Sequence, residues 1–247
     1  MSTGPADQEN ETLPALPDQR SQKLREALLG LAGLPDDSPA LPDQLSTIVR
    51  LSSEVVDPVD FASITMLAVE GHRTHASSSE EAEAVDLAQY AEDAGPCLLA
   101  LRSGETVGVP DIGGAVVWPG FRDVAWRHGV RASLSVPLFA GSGVPVAGLN
   151  LYARDAASMR LLIQRVQSCY HAGPTQVLPR MDAGSEQFLA GLAGALLSRD
   201  LVQRALGLLM DRDNIALGSA YRRLVEATEA GARVTDTATA ILRQYAS

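Results

Sequence analysis

A glycine- and proline-bearing stretch, Ala172-Gly173-Pro174 to Leu178-Pro179, separates two regions of this chain whose hydrophobic periods differ. Such a division requires two kinds of packing. Upstream, Phe61 to Val69 and His72 to Ser77 read as strands around a turn at Glu70-Gly71, and Ser133 to Phe139 and Val146 to Tyr152 as a second pair joined by Gly141-Ser142-Gly143. Helical patterns surround them. One begins at Asp43 and closes at Asp57-Pro58, an acidic one runs from Ser79 to Ala94, and a short one spans Phe121 to Arg127; Thr106 to Val109 is a further short strand. In the acidic helix, Val85, Leu87 and Tyr90 supply the apolar positions among Glu80, Glu81, Glu83 and Asp86. This mixture predicts an α+β unit on a largely antiparallel sheet. Downstream of the break, Phe188, Leu189, Leu192, Ala195, Leu196 and Leu197 repeat at helical spacing, and the remainder is helical throughout.

Composition bounds the rest. At 247 residues, 46% hydrophobic and 20% charged, the chain can form real cores. Residues 1–21 are too polar and proline-rich to join them and read as a disordered arm, followed by a short helix from Ser21 to Ala32. The expected division is a disordered arm with one short helix at 1–42, an α+β unit at 43–170, a linker at 171–184 and a helical unit at 185–247. No apolar run is long enough to span a membrane and no secretory leader is visible, so a cytoplasmic protein is expected. Cys97 and Cys169 form neither a disulfide framework nor a metal-ligand pattern. A net charge of −10 opposes general affinity for polyanions. From Ser198 onward, however, seven arginines face six acids, so all the net acidity lies upstream.

Three blocks in the tail carry a family likeness: Ala205-Leu206-Gly207-Leu208-Leu209-Met210, then Ala220-Tyr221-Arg222-Arg223-Leu224, then Val234 to Leu242. In this order they resemble an ANTAR domain, a three-helix RNA-binding antitermination module. The family's lysine in the first block is Leu206 here. Five further blocks resemble the GAF-type sensor domain that precedes ANTAR domains in actinobacterial proteins: Ala94-Gly95-Pro96-Cys97, Val109-Pro110-Asp111-Ile112, Trp118-Pro119-Gly120-Phe121, Gly129 to Leu138, and Ala147 to Tyr152. The resemblance implies a GAF-like antiparallel sheet with flanking helices followed by an all-α three-helix ANTAR-like domain. The implied activity is signal-responsive, binding hairpin loops of nascent transcripts to cause antitermination, as a homodimer. A ligand-sensing protein-interaction module, with a degenerate tail that no longer binds RNA, is the alternative favoured by Leu206, the acidic charge and the interrupted linker.

Candidate residues follow. Arg199, Arg204, Arg212, Arg222, Arg223 and Arg233 are the cations available to RNA phosphates or bases, and Gly207, costly inside a helix, would admit a close approach. Leu206 and Met210 widen the apolar arc of the first tail helix to about 200°, beyond what one packing partner covers; they mark a candidate dimer seam or, as the plainer alternative, a contact with the preceding helix or the sensor. Tyr221 matches the family's aromatic, and Thr235 is placed to cap the last helix. A small molecule would sit between sheet and helices, with Cys97, Trp118 and Phe121 as candidate contacts. Cys97 stands at a helix start, a position that can lower a thiol pKa; the plainer expectation is a buried apolar thiol. No catalytic constellation, metal set or identifiable cofactor emerges.

Overall fold

A computed structural model describes residues 18–68, 71–170, 178–229 and 231–245. The proposed arm at 1–17, residues 69 and 70 at the proposed hairpin turn, and residues 171–177 of the proposed linker lie outside the described residues. The elements are α1 (Gln19–Ala32), α2 (Leu41–Val55), β1 (Phe61–Ala68), β2 (Gly71–Ser77), α3 (Glu80–Ala91), α4 (Pro96–Ser103), β3 (Val107–Val109), α5 (Pro119–Arg127), β4 (Ala132–Phe139), β5 (Pro145–Ala153), α6 (Ala156–Tyr170), α7 (Ala183–Asp213), α8 (Leu217–Glu226) and α9 (Val234–Tyr245).

The five strands pair antiparallel in the order β2-β1-β5-β4-β3. Alternation along the central strands gives the sheet two unlike faces. Ala62, Ile64, Leu134, Val136, Leu149 and Leu151 point to one side and join Leu24, Leu28, Leu45, Ile48, Leu162, Phe188 and Leu192 in the main core, beneath α1, α2, α6 and α7. Ser63, Thr65, Ser135, Asn150 and Tyr152 point to the other side, where α3, α4 and α5 cover them so completely that each is buried.

Three expectations need correcting. Helix α1 is no appendage of an arm: Asp18 caps it by accepting from the Ser21 amide at 2.7 Å, and Leu24, Leu28 and Leu31 are buried in the main core against α7. Nor does the helical unit begin cleanly at 185. Helix α7 runs unbroken for 31 residues; Phe188, Leu189 and Leu192 belong to the sheet's core, whereas Val202, Ala205, Leu206 and Leu209 belong to a second cluster with Ala220, Leu224, Val234 and Ala238. Gly191 lets α1 and α7 approach, because a Cβ there would sit 2.8 Å from Leu28 Cδ1. The helix ends at Asn214, whose left-handed conformation (φ 49°) sends its amide back to the Met210 carbonyl. Thr235 lies inside α9, one residue past its start, rather than capping it.

Candidate functional site

Helix α3 directs Ala82, Val85, Asp86 and Gln89 inward, an i, i+3, i+4, i+7 stripe. One of the helix's acids is thus carried into the interior, whereas Leu87, one of its expected apolar positions, is 55% exposed. Asp86 is fully buried over the polar face of the sheet. Its Oδ1 accepts from the Tyr152 hydroxyl at 2.6 Å and from Asn150 Nδ2 at 3.1 Å, and Oδ2 accepts from the Thr74 hydroxyl at 2.9 Å. Asn150 is held in turn by the Ser135 hydroxyl, which donates to its Oδ1 at 2.9 Å, and its Nδ2 lies within reach of Ser63 and Thr65. Tyr90 Oη is 2.8 Å from Thr65 Oγ1 and 3.0 Å from Thr74 Oγ1. Gln89 closes the network, donating to Tyr152 Oη at 3.3 Å and accepting from the Cys97 amide at 2.9 Å.

None of the hydrogen-bond partners of Asp86 is a cation, so burial wins over the donors and pushes its carboxyl up to about 6. The same burial, reinforced by the Asp86 charge, raises the Tyr152, Tyr90 and Cys97 groups above their ordinary values, Cys97 to about 12. The helix start at Pro96 therefore does not activate this thiol; the shift is upward and not downward, because Cys97 is wholly buried. In native protein, peptide mass mapping after treatment with a thiol reagent at pH 8 is expected to find Cys97 unmodified, with reaction only on unfolding. Rapid labelling at Cys97 would contradict its buried position. Phe121 is fully buried in a small cluster with Val85, Ile112 and Tyr152, and Trp118, at φ 64°, packs partly buried against it. Both sit in packing roles. They line neither the cavity of about 540 Å³ bordered by α1, α2 and the α8–α9 segment nor the opening beside Gly113 and Trp126.

The arginines expected in the tail do not share one environment. Arg199 turns toward the sheet unit, donating from Nε to the Gly143 carbonyl at 2.9 Å with its guanidinium 4.0 Å over the Phe139 ring. Arg212 grips Asp213 (Nε to Oδ1, 2.5 Å) and lies 5.0 Å over the exposed Tyr245 ring, with its Nη1 donating to the Tyr245 hydroxyl. Arg223 also pairs with Asp213. These pairings hold the Asp213 carboxyl below its usual range. Arg222 donates to Ser219 Oγ at 3.1 Å and, like Arg204, is exposed. Arg233 is exposed with its stem against Gly33. Among the described residues, nothing beyond the helix's own backbone lies within 4 Å of a Cβ placed on Gly207, so no packing contact among them accounts for that glycine. The seam expected at Leu206 is corrected: Leu206 is completely buried in the tail's own cluster, and Met210 packs half-buried against it.

Asp86, Gln89, Asn150 and Tyr152 were absent from the sequence candidates. Alternation in Leu149-Asn150-Leu151-Tyr152 and Ser133-Leu134-Ser135 was the available signal, and it reads by default as a solvated face.

A five-stranded antiparallel sheet, layered by helices on both sides and roofed over a polar interior, is the architecture of a sensor-type domain. The GAF domain family model matches residues 40–163, half of the chain; the chain belongs to the GAF domain family. Similar solved structures include fRMsr of Staphylococcus aureus in reduced form (12% identity, covering 76% of this chain and 98% of that one, TM-score 0.43). Another is the GAF domain from Acinetobacter phosphoenolpyruvate-protein phosphotransferase (14% identity, 74% and 95% covered, TM-score 0.38). No curated protein matches the chain. Among the described residues, no group of His, Cys, Asp and Glu is disposed to hold a metal ion, and no helix is long and apolar enough to cross a membrane.

Proposed function

We propose that this protein is a signal-responsive regulator whose GAF domain controls an ANTAR-like tail that binds RNA hairpins and causes antitermination. The observation that carries the reading is the placement of the three sequence blocks. Ala205 to Met210, Ala220 to Leu224 and Val234 to Leu242 fall on three consecutive helices around one small core, with Arg204, Gly207, Arg222 and Arg223 left on the outside. Such a face suits phosphates and the unpaired bases of a loop. GAF domains commonly bind small molecules, and the buried Asp86 network lies between sheet and helices, where a signal could act on the strands. With Leu206 consumed in the core, a homodimer would have to recruit other apolar surface, such as Leu197, which is 70% exposed on α7.

The test is a mobility shift of a tandem-hairpin RNA from the protein's own genomic neighbourhood, using the full chain at several salt concentrations. Replacing Arg204 and Arg222 by alanine is expected to weaken binding and to lower the log–log salt slope by about one for each phosphate no longer neutralised. Binding that is indifferent to both substitutions and to salt would remove the reading. A second reading, a ligand-sensing protein-interaction module, is favoured by Leu206 in the lysine position and by the engagement of Arg212 and Arg223 with Asp213. It expects no RNA shift at any salt.

A further inference from the structure

The turn between β4 and β5, Ala140 to Val144, is held on two sides by parts of the chain outside the matched sheet strands. From one side, the α1–α2 loop takes it: the Gly141 amide donates to the Leu34 carbonyl at 2.7 Å, and the Ser142 amide donates to Asp36 Oδ1 at 2.9 Å. From the other side, α7 takes the two following carbonyls. Gln203 Nε2 donates to Ser142 O at 2.6 Å and Arg199 Nε to Gly143 O at 2.9 Å. Helices α8 and α9 complete the grip through the same loop: the Asp36 amide donates to the Tyr221 hydroxyl at 2.9 Å, and the Val234 amide donates to the Gly33 carbonyl at 3.0 Å. Gly141 is required by this fit, since a Cβ there would meet Leu34 O at 2.7 Å, Val234 Cγ2 at 2.9 Å and Tyr221 Oη at 3.1 Å.

We propose that the β4–β5 turn is a latch by which the GAF core holds the three-helix tail docked, withholding Arg199, Gln203 and Tyr221 from the tail's outer surface. The segment that would move is marked in α7. No residue from Ala193 to Leu201 is fully buried, although both flanking stretches are rooted in cores. Within that segment the Ser198 hydroxyl donates to the Gly194 carbonyl one turn back at 2.9 Å, a contact that favours bending. The turn is also connected to the polar interior. Strands β4 and β5 form it, and they carry Asn150 and Tyr152, which both donate to Asp86, and Ser135, which donates to Asn150. A ligand or proton that rearranges that network acts on the same two strands that present Ser142 and Gly143 to α7.

The regulatory consequence of the latch rests on the RNA-binding reading; the docking itself does not. Two charge-neutral changes, Gln203→Ala with Tyr221→Phe, remove the side-chain bonds to Ser142 and Asp36 while keeping the Tyr221 ring. In the full chain, hydrogen exchange of α8 and α9 is expected to accelerate about tenfold or more, with β1 and β5 unchanged. Arg204→Ala, on the same helix but exposed, is expected to leave exchange unchanged. Affinity for the hairpin RNA is expected to rise severalfold in the double variant. Unchanged tail exchange would overturn the latch, as would acceleration spread equally through the sheet, which would mean ordinary stability contacts. Faster tail exchange with unaltered RNA affinity would leave docking intact and overturn its regulatory role, with RNA binding unaffected. Absence of RNA binding in wild type and variant alike would reject the RNA reading and the regulatory role together, and exchange would still decide whether the tail is latched.

Discussion

Replacing Leu28 by alanine is expected to lower the unfolding free energy of the full chain by about 2–5 kcal/mol, as for other fully buried leucines truncated in a packed interior. The residue lies on α1, 1% exposed, in the main core and directly over the glycine that brings α7 close. Its removal leaves a void that α7 cannot close without shifting Phe188 and Leu192, which share that core. Urea unfolding followed by far-UV circular dichroism measures the loss through the midpoint. Because α7 is continuous into the tail cluster, a single transition is expected, displaced to lower urea. A loss under about 1 kcal/mol would mean that α1 is the peripheral helix its position near the terminus suggests, since only surface changes are so mild.

The second large effect concerns Asp86 and depends on pH. Its carboxyl titrates near about 6 in the folded protein against an ordinary value of 3.8. The folded state therefore holds the proton more tightly. Stability contributed by the neutral acid is fully present below the unfolded value and is lost as pH rises through the folded one, between about 4 and 6. A separation of about two units corresponds to about 3 kcal/mol, undiminished by solvent because the group is fully buried. Asp86→Asn cannot ionise, and it keeps an acceptor for Tyr152 and Asn150. The variant's stability relative to wild type is expected to improve by about that amount from pH 4 to pH 8, read from urea midpoints at each pH. The titratable neighbours Tyr152, Tyr90 and Cys97 are all shifted upward and remain neutral across this window, so they do not compete. A pH-independent difference between the two proteins would show that the Asp86 carboxyl is not raised on folding.

The strand pairs were legible because period-two alternation and the Gly141-Ser142-Gly143 turn leave few other readings for 132–153, and the observed strands begin and end within about a residue of the expected ones. The polar interior was not. Alternation signals one wet face in most antiparallel sheets, and only the arrival of α3, α4 and α5, a long-range event, turns Ser63, Asn150 and Tyr152 inward to meet a carboxylate. Asp86 did not stand out because the surrounding glutamates outweighed the Ala82, Val85, Gln89 stripe that locates it. In the tail, the periodicity of α7 correctly marks Leu206 as apolar but cannot distinguish a second chain from helices α8 and α9 folding back. The engagement of Arg199 and of the Tyr221 hydroxyl was hidden for a related reason: their partners, Gly143 and Asp36, lie 56 and 185 residues away.

Helix α7 also makes the two parts of the molecule angularly indexed. Each residue of an α-helix advances about 1.5 Å and turns about 100°, so one residue inserted between Leu192 and Val202 would swing the tail core by that angle and carry Gln203 away from the turn that receives it. Seven inserted residues would nearly restore the phase but displace the tail by about 10 Å along the axis. The junction between the GAF domain and the helical tail is thus defined by helical phase as much as by chain length, and a tail grafted onto this helix must match both.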